Sequence, residues 1–195
     1  EFMNFKGNRL LEKRFVSLTQ FKNKVSYIGG LSCERFDFEL LHKVANALPD
    51  TAFLLGVKSD GMDKTEEAKT ALLKKCSNIR VWEDLNYEEL AELVFKSDIG
   101  MIPYKVSGQN LRICPNKFFE YSALGKRTIT TAIPSMSRYS PPAHIASNHQ
   151  EFISLIKEEL NHSIDENSKI NLRKISEQAS AKETLIRIAN VLTNN

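Results

Sequence analysis

Short apolar runs alternate with amphipathic stretches along most of this chain. Runs at 25–28, 52–55, 79–82, 99–102 and 127–131 read as strands, with a short sixth at 143–145. Between them lie helical patterns. Residues 38–48 place Leu40, Leu41, Val44, Ala45 and Leu48 at helical spacing. A helix over 63–76 is capped by Asp63 with Glu66, or by Thr65 alone, and one ending near 96 opens with the box Asn86 and Glu89. Ser147 with Gln150 opens another that ends near 160, residues 164–192 are helical in pattern and polar outside, and 4–20 suggest a leading helix. Strands alternating with helices predict an α/β fold: a parallel, Rossmann-like sheet of about six strands flanked by helices, with extra C-terminal helices.

The chemistry concentrates between the fourth and fifth strands. Residues 115–124 read as a helix that begins at Pro115, suited to a first helical position, and stops at Gly125, suited to a left-handed turn. The loop ahead of it, 103–114, carries Lys105 and Arg112 and no acid. Strand, basic loop and helix N-terminus together make an anion site, which points to a phosphate-bearing ligand.

Bulk composition narrows the classes. At 195 residues the chain holds one well-buried domain and is short for two, with a core over 24–160 and C-terminal helices over 161–195. Its 42% hydrophobic and 26% charged content is that of a globular domain. The net charge, 27 basic minus 24 acidic residues or +3, gives no argument for nucleic acid or an anionic membrane. No apolar run reaches a transmembrane span and no signal peptide is visible. The odd, widely spaced Cys33, Cys76 and Cys114 argue against a disulfide framework, fit a cytoplasmic setting, and read as buried thiols. Glu1 and Phe2 look like a cloning remnant. His42, His144, His149 and His162 show no metal spacing and read as solvated, and the acids of 84–92 read as a helix start and an exposed helix face.

Pro115, Lys117, Glu120, Tyr121, Ala123, Gly125 and Lys126 resemble the P-x-K-x-x-E-Y-x-A-x-G-K segment of the C-terminal, donor-binding domain of GT-B glycosyltransferases (group 1, family 4-like). Residues 27–31, 78–81 and 97–104 follow the order of that domain's other landmarks, so the resemblance covers roughly 24–160. It implies transfer of a sugar from a UDP- or GDP-linked donor to an acceptor, with no metal and no further cofactor. It implies too that the N-terminal acceptor domain is absent, so the chain alone binds without appreciable transfer and calls for a partner domain, a partner subunit or self-association. A non-catalytic ligand-binding or interaction module on the same fold is the alternative, with a nucleotide-sugar epimerase relative a third.

The candidate residues follow. Lys117, Arg35 and helix amides would stabilise charge on the leaving diphosphate. Pro115 and Asn116 start the helix, with Asn116 either a cap or a bystander to amides left free for the ligand. Glu120, one turn on, either accepts both ribose hydroxyls, as the resemblance implies, or forms a plain surface pair with Lys117. Relatives carry a second glutamate eight positions before it, facing the transferred sugar; this chain has Arg112 there, so either the sugar is contacted differently, or Arg112 adds a phosphate contact, or activity is lost. Gly29 and Gly30 either let backbone approach the diphosphate or are only a turn, and Ser107 and Gly108 either fold over a phosphate or belong to a flexible surface loop. Trp82 with Leu85 mark the base end, where Trp82 either stacks on a base or packs in the core.

Overall fold

The computed structural model describes residues 11–179. Six strands form one all-parallel sheet: β1 Asn23–Ile28, β2 Thr51–Val57, β3 Ile79–Glu83, β4 Ile99–Ile102, β5 Thr128–Thr131 and β6 Ala143–Ala146, in the order β3-β2-β1-β4-β5-β6. Helices α1 Glu12–Val16, α2 Phe38–Ala47, α3 Lys64–Leu73, α4 Tyr87–Phe95, α5 Asn116–Ala123, α6 His149–Asn161 and α7 Glu166–Gln178 complete the chain order, with 3-10 turns at Gly108–Arg112 and Pro134–Tyr139. This is the expected α/β architecture. Every residue of β2 and β4 is buried, as parallel strands covered on both faces must be.

Local signals account for the helix starts. Asp63 and Asn86 each form a full capping box with the glutamate three residues on, so Thr65 is not the cap of α3. The cap of α6 is Asn148 rather than Ser147; it accepts from Glu151 N–H while Ser147 bonds the Glu151 carboxylate. The leading helix is short. It is seated by Glu92, fully buried instead of on an exposed face, which accepts Leu11 N–H at 2.9 Å and pairs with Lys96 at 2.9 Å. Of the C-terminal pattern, α7 is present, and residues beyond 179, like 4–10, lie outside the described residues.

The strand order reverses at β1, which pairs with β2 along its whole length but with β4 only at Val25–Ile99 and Ser26–Gly100. Beyond Ser26 the two strands part, and a crevice opens at the C-terminal edge, where ligands of doubly wound sheets bind. Tyr121 of α5 holds the parting. Its ring lies so close to Gly100 that a Cβ there would sit 2.5 Å from it. Its buried hydroxyl accepts Ile28 N–H at 3.2 Å and faces the Ser26 and Met101 carbonyls at 3.2 and 3.3 Å, donating to one of them.

Two substitutions test this wedge by urea unfolding. Gly100→Ala is expected to destabilise the chain by about 1–3 kcal/mol through overpacking. Tyr121→Phe, which strands the Ile28 amide, is expected to cost about 1–3 kcal/mol. Wild-type stability in both would refute the wedge.

Candidate functional site

Three segments meet at the mouth of the crevice: the loop after β1, the loop after β4 and the first turn of α5. The two loops are zipped together. Asp37 N–H donates to the Pro103 carbonyl and Lys105 N–H to the Arg35 carbonyl, both at 2.8 Å, around an antiparallel bridge between Phe36 and Tyr104. Buried Asn110 clasps them further, its amide nitrogen donating to the carbonyls of Arg35 and Lys105 at 3.0 and 2.8 Å. Lys105 spends its ammonium on the Cys33 carbonyl at 2.7 Å, so its charge braces the loop rather than lining its outside.

The start of α5 is open. Pro115 stands at the cap position with extended backbone rather than inside the helix, and no side chain caps the helix, Asn116 included. The Asn116 and Lys117 amides therefore point out of the helix start without a side-chain acceptor, where the helix dipole is most positive. At the other end Gly125 takes the left-handed turn, with φ +67°, and Lys126 N–H returns to the Tyr121 carbonyl.

Lys117 reaches back from that first turn to the end of β1. Its ammonium rests 5.6 Å from the Tyr27 ring and 5.5 Å from the Tyr104 ring, a cation–π seat worth about 0.5–1 kcal/mol where exposed. The space it fills is the one a side chain on residue 29 would need: a Cβ on Gly29, whose φ is +127°, would lie 2.5 Å from the Lys117 Nζ. The requirement for glycine is thus tight at 29. At exposed Gly30 a Cβ would meet nothing within 4 Å, and the Gly30 carbonyl instead accepts from the Tyr27 hydroxyl at 2.6 Å. Lys117 donates no hydrogen bond within the described residues, so its N–H groups remain available.

Glu120 sits one turn further along, half-buried, with no hydrogen bond and no ion pair within 4 Å among the described residues. The surface pair with Lys117 is not formed. Burial pushes the Glu120 carboxyl above its ordinary value, and the Lys117 charge only partly pulls it back. An ionised carboxylate without donors is an open acceptor.

Exposed Arg35 joins this group through Gln109, to which its guanidinium donates at 3.1 Å. Its charge is also felt by Tyr27, whose hydroxyl burial drives well above the usual tyrosine value while Arg35 opposes the rise. Exposed Ser107 and Gly108, the latter with φ +56°, open the 3-10 turn that ends at exposed Arg112.

The structure does not bring Trp82 and Leu85 to this cluster. They stand on and after β3, two strands from the crevice. Trp82 meets the Phe15 ring edge-on at 5.2 Å and carries the Arg14 guanidinium at 5.6 Å, so it packs under α1 rather than lying open for a base. Half-buried Leu85 follows Asp84, whose carboxylate holds the Ser59 amide at 2.9 Å and the Ser59 hydroxyl at 2.5 Å. The thiols also differ from expectation: all three are free, but Cys33 and Cys76 are half-buried and Cys114 is exposed. His149 is paired with Asp37 at 2.9 Å and His144 with Glu159 at 3.3 Å, so neither is simply solvated. Among the described residues no group of three His, Cys, Asp or Glu is placed to hold a metal, and no helix is long and apolar enough to cross a membrane.

Sequence reasoning missed Tyr121, Tyr27, Tyr104 and Asn110 as organisers of the site. A signal existed for the first: a glycine inside a buried strand, Gly100, marks a close approach.

No family model matches the chain. Over 181 residues it is 27% identical to TuaH of Bacillus subtilis (strain 168), a glycosyltransferase assigned to teichuronic acid biosynthesis, covering 90% of this chain and 44% of that protein. It also superposes on HepE of Anabaena, solved in complex with UDP, with a TM-score of 0.71 at 14% identity, over 94% of this chain and 52% of that one. WaaG, a glycosyltransferase of lipopolysaccharide biosynthesis, gives 0.65 at 14% identity over 96% and 51%. The chain spans about half the length of these relatives.

The raised Glu120 carboxyl predicts a pH-dependent cost. A carboxyl whose folded-state pKa is raised binds its proton more readily folded than unfolded, so stability is full below the ordinary value of 4.5 and falls as pH rises through the raised value. Glu120→Gln is expected to be more stable than wild type in urea at pH 7, with the difference closing below about pH 4. Equal stability at pH 7 would refute it.

Proposed function

We propose that this chain, which has the fold of the C-terminal half of a GT-B glycosyltransferase, binds the nucleoside diphosphate of a sugar donor across the C-terminal edge of β1 and β4. The observation that carries the reading is the start of α5: an uncapped helix end, an ammonium with open N–H groups and a half-buried carboxylate without a partner, all within two turns. Each is costly or idle without a ligand. Together they match the parts of a nucleoside diphosphate.

The diphosphate would take the Asn116 and Lys117 amides, the helix dipole of about half a charge, and the Lys117 ammonium. Arg35 would add a second cation. As the bond from the anomeric carbon to the phosphate oxygen breaks, negative charge grows on the leaving diphosphate, and these fixed positive groups stabilise it more than the ground state. Glu120 lies about 5 Å along the helix axis from Lys117, the distance from phosphate towards ribose, where its two oxygens can accept both sugar hydroxyls. The ribose hydroxyls would supply the donors that the carboxylate lacks. The relatives are about twice this length, so the acceptor is assigned to residues outside the match, and this chain alone is expected to bind donor without transferring it.

Titration calorimetry against UDP, GDP and ADP tests the site, with UDP first because HepE was solved with it. Saturable binding of one nucleotide is expected, weakened about ten- to a hundredfold by Glu120→Ala and by Lys117→Ala, the range for removing a hydrogen bond to a charged group. No binding at millimolar nucleotide, or binding indifferent to both substitutions, would overturn it.

A further inference from the structure

Arg112 has no role in the reading so far. Its guanidinium is exposed, it has no partner among the described residues, and no acid occurs anywhere in 99–119. Yet its place is fixed. The turn it ends is held at one side by the Asn110 amide and at the other by Ser135, whose hydroxyl donates to the Ile113 carbonyl at 2.6 Å.

The geometry of that turn sets where Arg112 points. In a 3-10 helix, residues three apart eclipse one another, so Arg112 leaves the same face as Gln109. Gln109 is the residue that holds the Arg35 guanidinium. Arg35 in turn acts on Tyr27, the ring beneath the Lys117 ammonium. Arg112 therefore shares the face of the turn whose Gln109 holds Arg35, and the loop that carries them runs straight into the first turn of α5 with Lys117. Ile113 and Pro115 are extended, which puts Arg112 up to about 13 Å of chain from Asn116.

Charge counting then leaves a surplus. The diphosphate of a nucleotide sugar is a diester with two negative charges. Lys117, Arg35 and the half-charge of the α5 dipole already answer both. A third cation, on the loop ahead of α5 while Glu120 lies one turn into the helix, is left over for the group attached to the outer phosphate.

We propose that Arg112 binds a carboxylate on the transferred sugar, so that the preferred donor is a nucleoside diphosphate uronic acid. This rests on the donor-site reading above. The planar guanidinium suits two parallel bonds to a carboxylate, and among the described residues no acid pairs with it.

The test is calorimetry of the full chain against UDP, UDP-glucose and UDP-glucuronate; if GDP is the nucleotide that binds, GDP-mannose and GDP-mannuronate replace the pair. UDP-glucuronate is expected to bind about ten- to a hundredfold more tightly than UDP-glucose. Arg112→Ala should bring that ratio close to one, and Arg112→Glu should invert it. A ratio of one in the wild type, or a preference that survives Arg112→Ala, overturns the proposal. So does an equal loss for UDP alone, which would make Arg112 a phosphate contact. Failure of every nucleotide to bind defeats the donor site itself, whereas nucleotide binding without sugar preference defeats only this step.

Discussion

Where two parallel strands part, their facing backbone groups lose their partners, and burying them unpaired would cost several kcal/mol between them. Here one phenol hydroxyl answers that need. Tyr121 takes the Ile28 amide on one side and faces carbonyls of β1 and β4 on the other, in a site without water access. The same side chain belongs to α5, so the bond that keeps the sheet open also fixes the helix. The positions of Lys117, one turn before Tyr121, and of Glu120, its neighbour in the helix, follow from it. Gly100 is part of the same device, because the phenol ring occupies the volume of its missing side chain.

Around this wedge the chain divides its charges between holding and waiting. Lys105 and Asn110 donate side-chain N–H groups to join the two loops, while the Asp37 carboxylate caps α2 and pairs with His149. Lys117, Glu120 and the first amides of α5 have no such partners. Structural polar groups in a protein are normally satisfied. A cluster of unsatisfied ones at the crevice mouth, beside a frame in which the Asn110 Oδ1 is also left unbonded, is what the proposed binding site costs before its ligand arrives.

The six strands and most helices were legible because each carries its own local signal. β4 matched residue for residue, and the capping boxes of α3 and α4 lie wholly within a few consecutive residues. The segments that meet at the candidate site were legible too, through the helix between a basic loop and a glycine. What failed depended on packing between distant segments. Trp82 lies under Phe15, and Glu92 is buried because it receives an amide 81 positions away. Local pattern carries no record of such partners. Lys105 looked like a ligand cation for the same reason, its true acceptor being a carbonyl 72 residues back.

The aromatic seat of Lys117 has a consequence for recognition. A free lysine side chain has four rotatable bonds, and ordering them takes up to about 2 kcal/mol. In this chain Tyr27, Tyr104 and the hollow over Gly29 order it during folding. A ligand arriving at the crevice meets a lysine already aimed, and keeps as affinity what it would otherwise spend on stilling it. In the proposed donor site the rigidity of two tyrosine rings would be converted into tightness of grip on an anion.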